Sequence, residues 1–139
     1  MTTMASMDTQ LMDTQRPTQV FIVDDSTSIR LRLNEMLRRM DDIAVVGEAD
    51  SASASVDGIL RTHPDSVLLD LNLMGKSGMD VLRAVHPQAP DIVFIVLTNH
   101  SEPQYRRACA RAGARYFLDK STEFERVREV LAEIASTRH

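Results

Sequence analysis

The chain has one cysteine, Cys109, which excludes an intrachain disulfide and fits a reducing cytoplasm. It has no long apolar run. The longest, Ile92 to Leu97, falls far short of the roughly 20 residues that cross a bilayer. It has no basic stretch leading into an apolar block at its start, so no secretory signal is expected. Positive charge is also short: the formal net charge of −4 argues against a chain that is mainly a nucleic-acid binder. What is present is ordinary for a globular domain, with 43% hydrophobic and 26% charged residues. A length of 139 residues suits one domain with a proper core. The expected location is the cytoplasm.

Residues 1–17 differ from the rest. "MTTMASMDTQLMDTQRP" is polar, repeats MDTQ, and ends at Pro17. Its composition predicts a disordered leader over 1–17, ahead of a domain over 18–139.

From Thr18 onward, strand-like runs alternate with amphipathic ones. The strand candidates are QVFIVD (19–24), IAVVGEA (43–49), SVLLDL (66–71), IVFIVL (92–97) and RYFL (115–118). Several are apolar at consecutive positions, as when both faces of a parallel sheet are covered. Between them, Ile29, Leu33, Met36, Leu37 and Met40 form one helical face, and Phe124, Val127, Val130, Leu131 and Ile134 form another. Ser121 or Thr122 is the expected N-cap of that last helix. SGMDVLRAVH and EPQYRRACARAG supply two more, the second stopped by Gly113. The weakest helical pattern lies within 51–63, which holds Gly58 and ends before Pro64. Five β-α units imply an α/β fold: a doubly wound, five-stranded parallel sheet in flavodoxin-like order 2-1-3-4-5, with five helices.

Such sheets bind ligands at the carboxyl ends of their strands. Here the first strand ends at Asp24 and Asp25, the third offers Asp70, the fourth Thr98, and the last is followed by Lys120. A lone aspartate at a strand end is ordinarily a loop or cap residue, and a lone lysine a solvated one. The joint placement of all five at one sheet edge is what points to a site. Three carboxylates about 5 Å apart repel by about 3 kcal/mol per pair at an effective dielectric near 20, so they call for retained protons or a cation. An all-oxygen donor set favours Mg²⁺, or Mn²⁺ as the alternative, over zinc. Such an ion, partly hydrated, is completed by a phosphate-like group, to which Thr98 can donate and whose charge Lys120 can offset. Asp70 is then the natural nucleophile for phosphoryl transfer.

Together, VFIVDDSTSIRLRL, VLLDLNLMGKSGMDVLR and IVFIVLTNHSEPQYRRACARAGARYFLDKS resemble the receiver domain of two-component response regulators over residues 18–136. The resemblance implies that Asp70 is the phosphoacceptor, loaded from a phosphohistidine of a sensor kinase or phosphotransfer protein. It implies that Asp25 ligates Mg²⁺ directly, Asp24 largely through water, and Asn72 through its backbone carbonyl. Thr98 and Lys120 would contact the phosphoryl group, and Phe117 holds the aromatic switch position. Output through the fourth helix, last strand and last helix would follow.

Three departures stand out. Met74 and Gly75 occupy a loop where many receivers have proline, Ser121 follows the lysine where proline is frequent, and Asn99 follows Thr98 where a small residue is usual. None removes a chemical group, but Asn99 and His100 at the pocket mouth are expected to tune the kinetics. Residues 121–139 are too few for a helix-turn-helix effector, so a stand-alone receiver is expected that signals through protein contacts, without direct DNA binding. Arg106, Arg107, Arg111 and Arg115 suit a partner or homodimer surface, or simply a solvated helix face. Two other classes stand beside this reading. A receiver cut from a DNA-binding regulator is one. An aspartyl-phosphate hydrolase is the other, and it would want an acid at position 72, where Asn72 stands. A turnover enzyme is therefore not expected.

Overall fold

The computed structural model describes residues 16–74 and 76–137. The leader expected over 1–17 therefore lies outside the described residues, apart from Arg16 and Pro17. The guanidinium of Arg16 donates to Asp65 at 3.3 Å.

Seven strands and five helices follow in chain order among the described residues. They are β1 (Thr18–Val23), α1 (Thr27–Arg38), β2 (Ile43–Ala49), α2 (Ala52–Thr62), β3 (Ser66–Leu69), β4 (Asn72–Leu73), β5 (Lys76–Ser77), α3 (Gly78–Val85), β6 (Val93–Thr98), α4 (Pro103–Ala112), β7 (Tyr116–Asp119) and α5 (Arg126–Ser136). The main sheet has the order β2-β1-β3-β6-β7, with every pairing parallel. Leaving out the short β4–β5 pair, this is the expected order 2-1-3-4-5.

Period-2 alternation along the central strands divides the core into two layers. Val20 and Ile22 of β1, Leu68 of β3, and Ile95 and Leu97 of β6 face α1 and α5, meeting Leu33, Leu37, Val127 and Leu131. Phe21, Val23, Val67, Leu69 and Phe94 face the other way, onto Ile59 of α2 and Val81, Leu82 and Val85 of α3. Cys109 of α4 joins Met79, Val96 and Leu71 in a third cluster on that second face. Each fully buried aliphatic or Phe side chain contributes about 1.5–3 kcal/mol. With both faces covered, the strands carry the continuous apolar runs seen in the sequence.

The weakest helical pattern is a real helix. Ser51 caps α2 by accepting from the Ala54 amide, and His63 ends it in a left-handed conformation at φ 47°. Gly58 sits mid-helix because the Phe21 ring fills the space a Cβ would need. The end of α4 is equally local: Gly113, at φ 113°, takes the left-handed position just after the last turn.

One expectation is corrected. Neither Ser121 nor Thr122 caps the last helix. Asp119 Oδ1 accepts both their amides, at 2.8 and 3.2 Å, holding 121–125 in turns, and α5 begins only at Arg126 with no side-chain cap. Phe124 stays buried in that turn, with the Arg32 guanidinium 3.9 Å from its ring centre. The loop after Asp70 contains the antiparallel pair Asn72–Leu73 with Lys76–Ser77.

Candidate functional site

Parallel register brings the carboxyl ends of β1, β3, β6 and β7 to one edge, and the candidate residues follow from there. The Asp24 amide donates to Ala49 O at 3.1 Å, and the Asp70 amide to Val23 O at 2.9 Å. Each aspartate therefore continues its ladder by one bond before its side chain leaves the sheet. Asp24, Asp70 and Thr98 are buried, while Asp25, Asn72, Asn99 and His100 are exposed. Asp25, Asp70, Asn72, Thr98, Asn99, His100 and Lys120 border one cavity of about 230 Å³. Asp24 lies behind it.

Carboxylate oxygens of Asp24, Asp25 and Asp70 lie within 4.8 Å of one another. A cation is already placed among them, and it is a side chain. The Lys120 ammonium donates to Asp24 Oδ2 at 2.7 Å and to Asp70 Oδ2 at 3.0 Å. The remaining oxygens are also engaged: the Ser26 amide donates to Asp24 Oδ1 at 2.9 Å, and the Asn72 amide to Asp70 Oδ1 at 3.3 Å. Asp25 differs. It is exposed and has no hydrogen-bond or ion-pair partner among the described residues.

Burial pushes the Asp24 carboxyl above its ordinary value, despite opposing bonds from Lys120 and the Ser26 amide. Burial also pulls on Lys120, in the downward direction, but its bonds to Asp24 and Asp70 and their charges outweigh that and hold it above its ordinary value. At neutral pH this keeps the ammonium charged.

The donor set fits a hard divalent cation. Asp25 supplies an unsatisfied carboxylate beside Asp70, and the clustered candidate ligands are all carboxylates, with no histidine or cysteine among them. Thr98 Oγ1 accepts from the His100 amide at 3.2 Å, so its own proton is free to be donated. Phe117 is half-buried against Leu71, Met79, Val96 and Cys109, with the Arg106 guanidinium 4.7 Å from its ring centre. His100 turns its ring toward Tyr105, with centroids 5.5 Å apart.

The structure brings together every site residue read from the sequence except Phe117, which packs beneath α4 rather than at the cavity. Two further residues were not singled out. Arg30 donates to the Asp24 carbonyl at 2.6 Å, and Ser26 both caps α1 and steadies Asp24. Ser121, expected to cap the last helix, instead donates to Asn99 Oδ1 at 3.0 Å. The signal for the first two was in the DDSTSIR segment, where a capping serine and a first-turn arginine follow the acidic pair.

A family model of the response regulator receiver domain matches residues 20–132. The transcriptional regulatory protein YhcZ of Bacillus subtilis is 35% identical over 107 residues, which is 77% of this chain and 50% of YhcZ. The nitrate/nitrite response regulator NarL of Escherichia coli is 28% identical over 127 residues, which is 90% of this chain and 58% of NarL. The response regulator domain of Thermotoga maritima CheB has a TM-score of 0.77 and 26% identity, covering 87% of this chain and 96% of that one. The chain spans 23% to 58% of the length of these and other curated relatives it matches. Among the described residues, no helix is long and apolar enough to cross a membrane.

Proposed function

The chain belongs to the response regulator receiver domain family, and from that premise we propose that it is a phosphorylation-dependent switch whose phosphoacceptor is Asp70. The observation that carries the reading is a buried carboxylate on the wall of an open cavity, with a charged ammonium 3.0 Å away. The donor is a phosphohistidine on a sensor kinase or phosphotransfer protein. A carboxylate oxygen of Asp70 attacks phosphorus, the P–N bond breaks, and its electron pair stays on the imidazole, which takes up a proton.

The chain's own residues divide the work. The Asn72 amide and Lys120 hold the Asp70 carboxylate in place, and Arg30 fixes the backbone that carries Asp24 and Asp25. The Thr98 hydroxyl donates to a phosphoryl oxygen, and Lys120 offsets the added negative charge. Asp25, Asp70 and the Asn72 carbonyl are the residues that would hold Mg²⁺ or Mn²⁺, with Asp24 acting through water. Such an ion would neutralise charge on the phosphoryl oxygens.

Drawing Thr98 inward changes the space available to Phe117, which shares the packing of β6, β7 and α4. The face formed by α4, β7 and α5 then carries the signal to a protein partner. Moving such a switch from 1% to 99% active takes about 5.5 kcal/mol of differential stabilisation. The acceptor is the chain's own side chain, so this is a signalling phosphoacceptor rather than a turnover enzyme. The buried free thiol of Cys109 suits the cytoplasm.

The test is acetyl phosphate with Mg²⁺. Wild type gains the mass of one phosphoryl group and Asp70→Asn gains none; equal labelling of the two removes Asp70 from the chemistry. A second reading is favoured by the length of the relatives: the receiver serves as the input part of a longer DNA-binding regulator. Intact-mass measurement of the protein from its own cells separates the two. A species of this chain's mass supports the stand-alone switch, and a heavier one supports the longer regulator.

A further inference from the structure

The pocket mouth carries a contact that neither the family assignment nor the phosphoacceptor reading uses. Ser121 Oγ donates to Asn99 Oδ1 at 3.0 Å, joining the loop after β7 to the loop after β6. Asn99 borders the cavity that holds Asp70, and Ser121 stands behind it. Ser121 itself is well anchored: its amide donates to Asp119 Oδ1 at 2.8 Å, and the neighbouring Lys120 amide donates to Thr98 O at 2.8 Å. Because Ser121 does not cap α5, its hydroxyl is available for this bond. Asn99, by contrast, makes no other side-chain hydrogen bond among the described residues and lies exposed at the rim.

We propose that Ser121 is a positioning residue that holds Asn99 across the cavity mouth and thereby slows the attack of water on a phosphoryl group carried by Asp70. The inference rests on the phosphoacceptor reading and deepens it. In the step concerned, a water oxygen bonds to phosphorus and the P–O bond to Asp70 breaks. The electron pair of that bond stays on the carboxylate, and inorganic phosphate leaves with both protons of the water, as dihydrogen phosphate. A side chain held over the mouth restricts the line of approach of that water, and one released from Ser121 samples positions that leave it open. Proline, which has no hydroxyl, cannot make this bond, so Ser121 gives the rim a restraint that proline at this position would lack.

The experiment follows the decay of the phosphorylated full chain, made with acetyl phosphate and Mg²⁺, by intact mass. Ser121→Ala and Asn99→Ala should each decay about fivefold faster than wild type, equivalent to about 1 kcal/mol for one hydrogen bond. The double variant should decay no faster than Asn99→Ala alone, and Ser121→Thr, which keeps the hydroxyl, should decay like wild type. Both side chains are exposed, so all variants should melt with wild type. Additive effects, or a Ser121→Ala variant that decays like wild type, would overturn the proposal while leaving Asp70 as acceptor. Labelling of Asp70→Asn at the wild-type level would instead overturn the phosphoacceptor reading, and this inference with it.

Discussion

The Lys120 ammonium lies 2.7 Å from Asp24 Oδ2, and both side chains are nearly buried, at 9% and 3% exposure. The same nitrogen reaches Asp70, so one cation compensates two carboxylates that would otherwise face each other out of water. Lys120→Met should therefore cost about 3 kcal/mol in urea unfolding at pH 7 without divalent ions. Added Mg²⁺ should recover part of that loss by replacing the missing charge. A Lys120→Met variant as stable as wild type under those conditions would mean that the lysine is electrostatically idle.

Asp24 and Asp25 are adjacent in sequence but occupy different environments, so their alanine variants should fail differently. Asp25→Ala should lose most Mg²⁺ affinity by calorimetric titration with little change in melting temperature, because its carboxylate has no partner among the described residues. Asp24→Ala should bind Mg²⁺ more nearly like wild type but change stability, because it breaks the contacts to Lys120 and Ser26. Equal loss of affinity in both would contradict this division.

Gly78 lies where α3 begins, and a Cβ there would collide with the Asp70 carbonyl and press on Leu71 Cα at 2.9 Å. Its amide donates to Leu71 O at 2.8 Å, so the helix cannot simply move away. Gly78→Ala should destabilise the protein by about 1–3 kcal/mol. It should also slow acetyl phosphate labelling, because the displaced backbone carries Asp70, the proposed acceptor. Normal labelling in a destabilised variant would uncouple the two effects.

Glu123 accepts from the Asp119 amide at 2.9 Å and from Arg126 at 2.6 Å. The Asp119 bond, with Arg126 and Arg106 nearby, holds its carboxyl below the usual value. A depressed carboxyl contributes stability that is present above its unfolded value, near 4.3, and is lost as pH falls through the lower folded value. Glu123→Gln should melt a few degrees below wild type at pH 7, and the gap should close toward pH 3. A gap that widens on acidification would reverse the assigned sign.

Much of this was legible in the chain. The strand order and the meeting of Asp24, Asp70, Thr98 and Lys120 followed from apolar runs that each end in a polar residue, because parallel register sends those ends to one edge. The helix over 52–62 was hard to read because Gly58 looks like a breaker until Phe21 is placed against it. The start of α5 was misread because Asp119, outside the helix, takes the amides that a capping serine would have served. The acidic cluster predicted a cation but not its source. Charge alone does not distinguish a bound metal from an ammonium delivered by a residue far along the chain.

That distance has a consequence for assembly. The Lys120–Asp24 contact joins residues 96 positions apart, at opposite ends of the domain's sequence. Pairing of β1 with β2 and β3 can gather the acidic residues early, but the compensating charge arrives only when β7, an edge strand, docks on β6. Contacts of such long sequence separation carry the largest loop-closure cost and reward the chain last. With β7 undocked the sheet edge would hold repelling carboxylates, so divalent ions should speed folding if β7 docks late. The chain acquires this charge balance only on completing its fold, so a partly folded copy carries Asp24 and Asp70 without the ammonium that compensates them.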